Sequence, residues 1–478
     1  MSSHSPSEGS SDLTRRRLLA GAGLAGVGAV LAACGSSTKS ATPATTAAGA
    51  ATTAAGAATT AAGAVTTAAA AATTAAPVAT TAAAAAAAAS GKAKGDLTFG
   101  SNFSNDKPKA ALQAMVDGFG NKGVKVKVNT TDHNTFQDNI VQYLQQPDDV
   151  ISWFAGYRMQ TVAAKGLIGD ISDVWGKADG LSDAFKKAST AADGKQYFMP
   201  LYYYPWGVHY KKSVFADKGY KVPVTWDEWM ALLEKMKADK ITPLAAANDG
   251  GWPQMGMFDQ LNMRTNGYDF HVSLMAGKEK WTDERVVNVF KTWEKLIPFQ
   301  QAGANGRKWE EGAAALGAKE VGMYLIGTFL TGQYKVQADI DDIDFFAFPS
   351  IDAKHGQDAV EAPIDGFMMA AKPKNPEAAK EFLAYIGTAA AEEAYLKVDP
   401  SAVAASSKAS TANYSAIQKK SADFVGKAKQ ISQFLDRDTD PTFVDQVKPV
   451  LAGFLEDPKS IDGALKALEE KKVAIFKA

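Results

Sequence analysis

From residue 96 onward, apolar and polar positions fall into blocks whose periods identify their elements. Leu97-Thr98-Phe99 reads as a strand, and Pro108–Phe119 as a helix with Ala111, Leu112, Met115, Val116 and Phe119 on one side. Val124-Lys125-Val126-Lys127-Val128 alternates strictly, the period of a half-buried strand. Phe136, Ile140, Val141 and Leu144 recur three or four apart and predict a helix over 135–144, stopped by Pro147. Val150-Ile151-Ser152-Trp153-Phe154 is a short apolar run, as expected of a central strand covered on both faces. Strand and helix thus alternate, which predicts an α/β sheet.

Farther along, helix gains the upper hand. Thr225-Trp226-Asp227-Glu228 is a capping box, in which the Thr hydroxyl and the Glu carboxylate each accept from a backbone N–H at the helix start. Trp226, Trp229, Leu232, Leu233 and Met236 continue as one apolar stripe. Further helices are predicted over 283–297, 309–318, 376–387, 389–397 and 458–476, and short strands at 321–326, 345–348 and 367–371.

The chain before residue 96 follows other rules. Arg15-Arg16-Arg17 precedes Leu18-Leu19 and an uncharged run through Ala33, then Cys34. A basic patch, an apolar run shorter than the ~20 residues of a membrane-spanning helix, and small residues before a cut make a secretory signal peptide over 1–33. The arginines resemble a twin-arginine export signal. Leu31-Ala32-Ala33-Cys34 resembles the lipobox of bacterial lipoproteins, which implies lipidation of Cys34 and a membrane anchor. Residues 34–92 are then a lipidated Cys and a tether of Ala, Thr, Gly and Ser, too poor in bulky apolar side chains to form a core.

Composition narrows what remains. Net charge is −1, from 51 basic and 52 acidic residues, and no basic stripe marks a nucleic-acid surface. Cys34 is the only cysteine, so there is no intramolecular disulfide and no Cys-based metal site or nucleophile. His4, His133, His209, His271 and His355 lack zinc-ligand spacing. There is no Gly-x-Ser-x-Gly elbow or phosphate-binding Gly-rich loop. Paired carboxylates of a glycosidase remain open as a rival, because any two acids can meet in a fold. Otherwise no catalytic residue, metal or cofactor is expected. Residues 96–478 exceed one ordinary core and predict two lobes.

Five segments together resemble the family 1 extracellular solute-binding proteins, sugar receptors of ABC importers related to maltose-binding protein. They are Asp149–Gly156 with Ala164–Ile171, Asp193–Leu201 with Tyr210-Lys211, Val222–Trp229, Glu320–Gly327, and Pro363–Phe367 leading to Asn375–Leu383. The family often has Trp where this chain has Phe329, which still offers a stacking face. The resemblance implies a two-lobe periplasmic-binding-protein fold of type II, with hinge crossings and a ligand cleft. Lobe 1 would be 96–204 and 362–397, and lobe 2 would be 205–361 and 398–478. It also implies a carbohydrate ligand, an ABC permease as partner, a monomer, and hinge closure on ligand.

A sugar presents C–H faces and hydroxyl edges, so its site needs flat aromatic surfaces and planar polar groups. Candidates are Trp153 at a strand end, Tyr157 and Arg158 in the loop after it, Tyr203 and Trp206 near the first crossing, Trp252 in a turn-rich loop, Phe329 after a strand and Asp365 at the last crossing. Trp153 reads equally as core, and Arg158 and Asp365 equally as surface charges. Trp226, Trp229, Trp281, Trp293 and Trp309 read as structural. A polyamine receptor is the other rival, but it would need several acids among the aromatics.

Overall fold

A computed structural model describes residues 91–476. The expected leader at 1–33, the expected lipidation site Cys34 and the expected tether through residue 90 lie outside them. Twelve strands occur among the described residues: β1 (Gly95–Ser101), β2 (Val124–Thr130), β3 (Val150–Phe154), β4 (Met199–Tyr203), β5 (Trp206–Lys211), β6 (Thr242–Leu244), β7 (Val321–Gly327), β8 (Ile343–Phe346), β9 (Ala359–Glu361), β10 (Ile364–Met369), β11 (Val403–Ala404) and β12 (Gln430–Ser432).

They form two main sheets. The first has order β11-β4-β10-β3-β1-β2, with β1 parallel to both neighbours and β10 antiparallel to β3 and β4. The second has order β6-β7-β5-β8, with β5 antiparallel to β7 and β8. β9 and β12 make a small parallel pair. The chain leaves the first sheet through Tyr204-Pro205 and returns to it through Ala362-Pro363, between β9 and β10. β11 also joins the first sheet, beyond the limit at 397 expected for lobe 1. It is held by β4, not by a sequence neighbour, so local pattern carries no sign of it.

Local structure follows the apolar pattern where the pattern is strong. The helix Asp106–Asp117 buries Ala111, Leu112, Met115 and Val116. All five residues of β3 are buried, as a strand covered on both faces requires. Thr225 and Glu228 complete the capping box: Oε2 of Glu228 accepts from the Thr225 N–H at 3.1 Å. Trp229, Trp281 and Trp293 are fully enclosed. Burying an apolar side chain of this kind contributes about 1.5–3 kcal/mol.

The helix predicted over 135–144 is two short helices, His133–Asp138 and Ile140–Tyr143. Asn139 stands between them with φ −107° and ψ 12°, and its side-chain amide donates to the Thr135 carbonyl at 2.8 Å. Such a local bond competes with the helix ladder. No helix among the described residues is long and apolar enough to cross a membrane.

Candidate functional site

The crossings between the two main sheets converge on one cavity of about 110 Å³. Tyr204 and Trp206 flank the first crossing, Pro363 and Asp365 the second, and Asp399, Ser401 and Ala402 line the approach to β11. The carboxyl end of β1 contributes Asn102, Phe103, Ser104 and Asn105, in keeping with ligand sites beyond strand ends in open sheets.

One wall is aromatic. Phe329 is its centre, with Tyr204, Trp206, Trp252 and Trp309 edge-on or steeply inclined at ring distances of 5.3, 6.3, 6.1 and 4.9 Å. Trp206 also packs on Phe434 at 4.8 Å. The indole N–H of Trp252 donates to Oδ1 of Asn134 at 3.2 Å, which sets the ring's orientation. The loop that carries Trp252 turns through Gly250 and Gly251, at φ +76° and +77°. A β-carbon on either would press Asn134 or Lys448, so glycine is needed for both backbone and space.

Polar side chains adjoin the aromatic ones, with His133 edge-on to Trp252 at 6.3 Å. Ser152 Oγ donates to Oδ1 of Asn102 at 2.8 Å, which orients that amide so that its Nδ2 donates to Nδ1 of His133 at 3.3 Å. The His133 proton then sits on Nε2. Burial, aided by Arg437, lowers the His133 pKa to about 4, so the ring is neutral.

Two arginine–aspartate pairs close the floor. Arg437 donates to Oδ1 of Asp365 at 2.8 Å and to the Tyr204 hydroxyl at 2.9 Å, while the Tyr202 hydroxyl donates to Oδ2 of Asp365 at 3.3 Å. Burial raises the Asp365 pKa, with Arg437 pulling the other way. Burial pulls the Arg437 pKa down, but Tyr204, Asp365 and Asp436 outweigh it and the net shift is upward. Arg437 also lies over the Phe154 ring at 4.1 Å. In the second pair, Arg158 donates to Oδ2 of Asp436 at 2.7 Å, to the Asp436 carbonyl at 2.9 Å and to Gln137 at 2.6 Å. Oδ1 of Asp436 and Oδ1 of Asp399 are buried and have no donor within the protein. Gly156, at φ +79°, lets the Arg437 carbonyl approach where a β-carbon would lie 2.8 Å away.

Of the eight residues singled out from sequence, Trp206, Trp252, Phe329 and Asp365 line the cavity. Trp153 does not. It is buried in the core, packed on Phe136 and Phe154 at 6.2 and 5.1 Å. Tyr203 points away because successive side chains of a strand face opposite sides. It packs beside Phe185 at 6.0 Å, leaving Tyr202 and Tyr204 on the cavity side. Tyr157 is half-buried outside the lining, and Arg158 stands behind Asp436. Trp309, read as structural, is part of the lining. The stretch Phe434–Arg437, with Asp399 and His133, was not anticipated: it carries no motif, and only the chain's return to the crossings brings it there.

Comparisons with known proteins agree on a class. Residues 104–393 match the family model described as bacterial extracellular solute-binding protein. An uncharacterized ABC transporter extracellular-binding protein of Pyrococcus horikoshii is 25% identical over 305 residues, 60% of this chain and 66% of the relative. The multiple sugar-binding protein of Streptococcus mutans is 29% identical over 218 residues, 44% of this chain and 51% of the relative. Among solved structures, the bacterial solute receptor AcbH is 46% identical with a TM-score of 0.79. That match covers 80% of this chain and 100% of AcbH, for which an exclusive preference for β-D-galactopyranose is described.

Proposed function

This chain belongs to the family of bacterial extracellular solute-binding proteins, and we propose that it is the carbohydrate receptor of an ABC importer. The observation that carries this reading is the cavity, whose lining combines aromatic faces with buried carboxylate oxygens that have no donors. The C–H face of a sugar packs on aromatic surface, and its hydroxyls donate to such oxygens. A ligand lacking the hydroxyls leaves those oxygens unpaired, at about 1–3 kcal/mol each. Where one water needs about 10–15 Å³, this cavity has room for on the order of ten water-sized groups. That suits a single pyranose, and the preference described for AcbH makes β-D-galactopyranose the first candidate.

In this reading residues 96–204 and 362–397, extended by β11, form one lobe, and the remainder forms the other. The lobes close on sugar, and the closed form is what a membrane permease recognises. The receptor works as a monomer, performs no catalysis, and is held at the outer face of the membrane by lipid on Cys34. A polyamine receptor is the second reading, favoured by three carboxylates around the cavity, Asp365, Asp399 and Asp436.

A thermal-shift screen of the protein against mono- and oligosaccharides, amino acids and polyamines tests the choice, because a ligand that binds only the native state raises the melting temperature. Galactose is expected to raise it. A shift with polyamines alone would reject the carbohydrate reading. In the same screen a Cys34→Ser form should be recovered without membranes and give the same sugar response; retention of that form on membranes would reject the anchor.

A further inference from the structure

The stretch Leu435–Arg437, of which Asp436 and Arg437 line the cavity, is anchored by a carboxyl pair outside the lining. The Leu435 N–H donates to Oδ2 of Asp259 at 2.7 Å. Asp259 lies on the helix Met255–Asn266 and is fully buried. Glu361, also fully buried, ends β9 just before the crossing at Pro363, and the two carboxyls are within hydrogen-bonding reach. Nε2 of Gln260 donates to Oε2 of Glu361 at 3.0 Å. Oδ1 of Asp259 and Oε1 of Glu361 receive no donor. Two buried carboxylates side by side do not both ionise, and one shared proton satisfies both open oxygens.

The surroundings supply no cation that removes the need for that proton. From the helix Tyr268–Met275, Nε2 of His271 stands 3.9 Å from Oδ1 of Asp259. Burial lowers the His271 pKa to about 3, so it is neutral. Asp438, held by Ser432, Gln433 and Phe434, lies near enough to act on both carboxyls and is itself acidic. Arg437 has its N–H groups on Asp365 and Tyr204, and Arg264 on the Phe348 and Ala359 carbonyls.

We propose that Asp259 and Glu361 form a positioning pair whose shared proton holds Leu435–Arg437 against the cavity, so that sugar affinity is proton-linked. This rests on the carbohydrate reading above. Burial raises the Glu361 pKa to about 8, and burial together with Glu361 raises that of Asp259. The sign follows: a carboxyl raised in the folded state contributes stability at low pH that is lost as pH rises through the folded value. Above it the proton leaves to solvent, two adjacent carboxylates repel, and the anchor of Leu435 shifts.

Titration calorimetry with D-galactose, from about pH 6 to about pH 9.5, reads this out, alongside urea unfolding over the same range. The wild-type protein should lose up to about tenfold in affinity per pH unit above the transition, as release of one linked proton requires. In Glu361→Gln an amide N–H replaces the shared proton, so both affinity and stability should become flat over that range. Asp259→Asn is the second variant should the first fail to fold. A flat wild-type affinity profile, or a Glu361→Gln profile with the wild-type fall, overturns the linkage. Absence of galactose binding at every pH instead overturns galactose as the ligand, and the urea series then still shows whether the proton is shared.

Discussion

The two arginine–aspartate pairs under the cavity are alike in chemistry and unlike in use. Arg437–Asp365 and Arg158–Asp436 are both buried and both bond at 2.8 or 2.7 Å. Arg437 belongs to the cavity lining, and its aspartate has both oxygens occupied, by Arg437 and Tyr202. Arg158 stands outside the lining, yet its aspartate keeps one oxygen without a donor beside the cavity. In one pair the arginine borders the ligand space, in the other only the aspartate does, with Arg437 Nε 3.9 Å from its open oxygen. A residue type therefore does not reveal which partner faces a ligand; the geometry of the second bond does.

The comparison can be broken by removing each arginine in turn. Arg437→Met should cost the most, because it strands Asp365 as a buried charge. Loss of one partner of a buried pair typically costs about 3–5 kcal/mol. Urea unfolding should show a loss in that range, with sugar binding abolished, and a further Asp365→Asn change should restore much of the stability. A loss below about 1 kcal/mol would mean that Arg437 does not hold the wall.

Arg158→Met should cost less, about 1.5–3 kcal/mol, since it removes hydrogen bonds to a charged group whose other oxygen borders the cavity. Sugar affinity should fall about tenfold, equivalent to about 1.4 kcal/mol, because Asp436 loses its orientation. Unchanged affinity would show that Asp436 needs no support from Arg158. The smallest effect sharpens the contrast with the core. Trp153→Phe should lower stability by about 1 kcal/mol and leave the galactose Kd where it was. A tenfold weaker Kd in calorimetry would return Trp153 to the site.

Much of the fold was legible because it is written in periods. β2 alternates, β3 is apolar but for Ser152, and the Thr225 capping box declares its helix. The first three strands and their helices need only local information. The helix Pro441–Glu456 is different: Pro449 lies inside it, and proline is otherwise read as a helix stop. Among the cavity-lining residues, the aromatics beside the crossings are legible from their position. Tyr203 is the member of its run outside the cavity lining, and the period of two sorts 202 and 204 from 203 once β4 is known to reach Tyr203. Asp436 and Arg437 belong to no motif in the sequence. Their burial comes from Phe154, Gly156 and Tyr204, which lie more than two hundred residues away, so no local signal carries it.

Three of the tryptophans, Trp206, Trp252 and Trp309, border the cavity. The other tryptophans lie outside its lining, several of them wholly enclosed. A ligand that displaces water from the first three changes their polarity while the enclosed indoles keep theirs. The protein therefore carries its own optical reporter: emission from a minority of its indoles tracks occupancy against a constant background. Filling of the cavity can be followed in unlabelled protein, at the speed at which it happens.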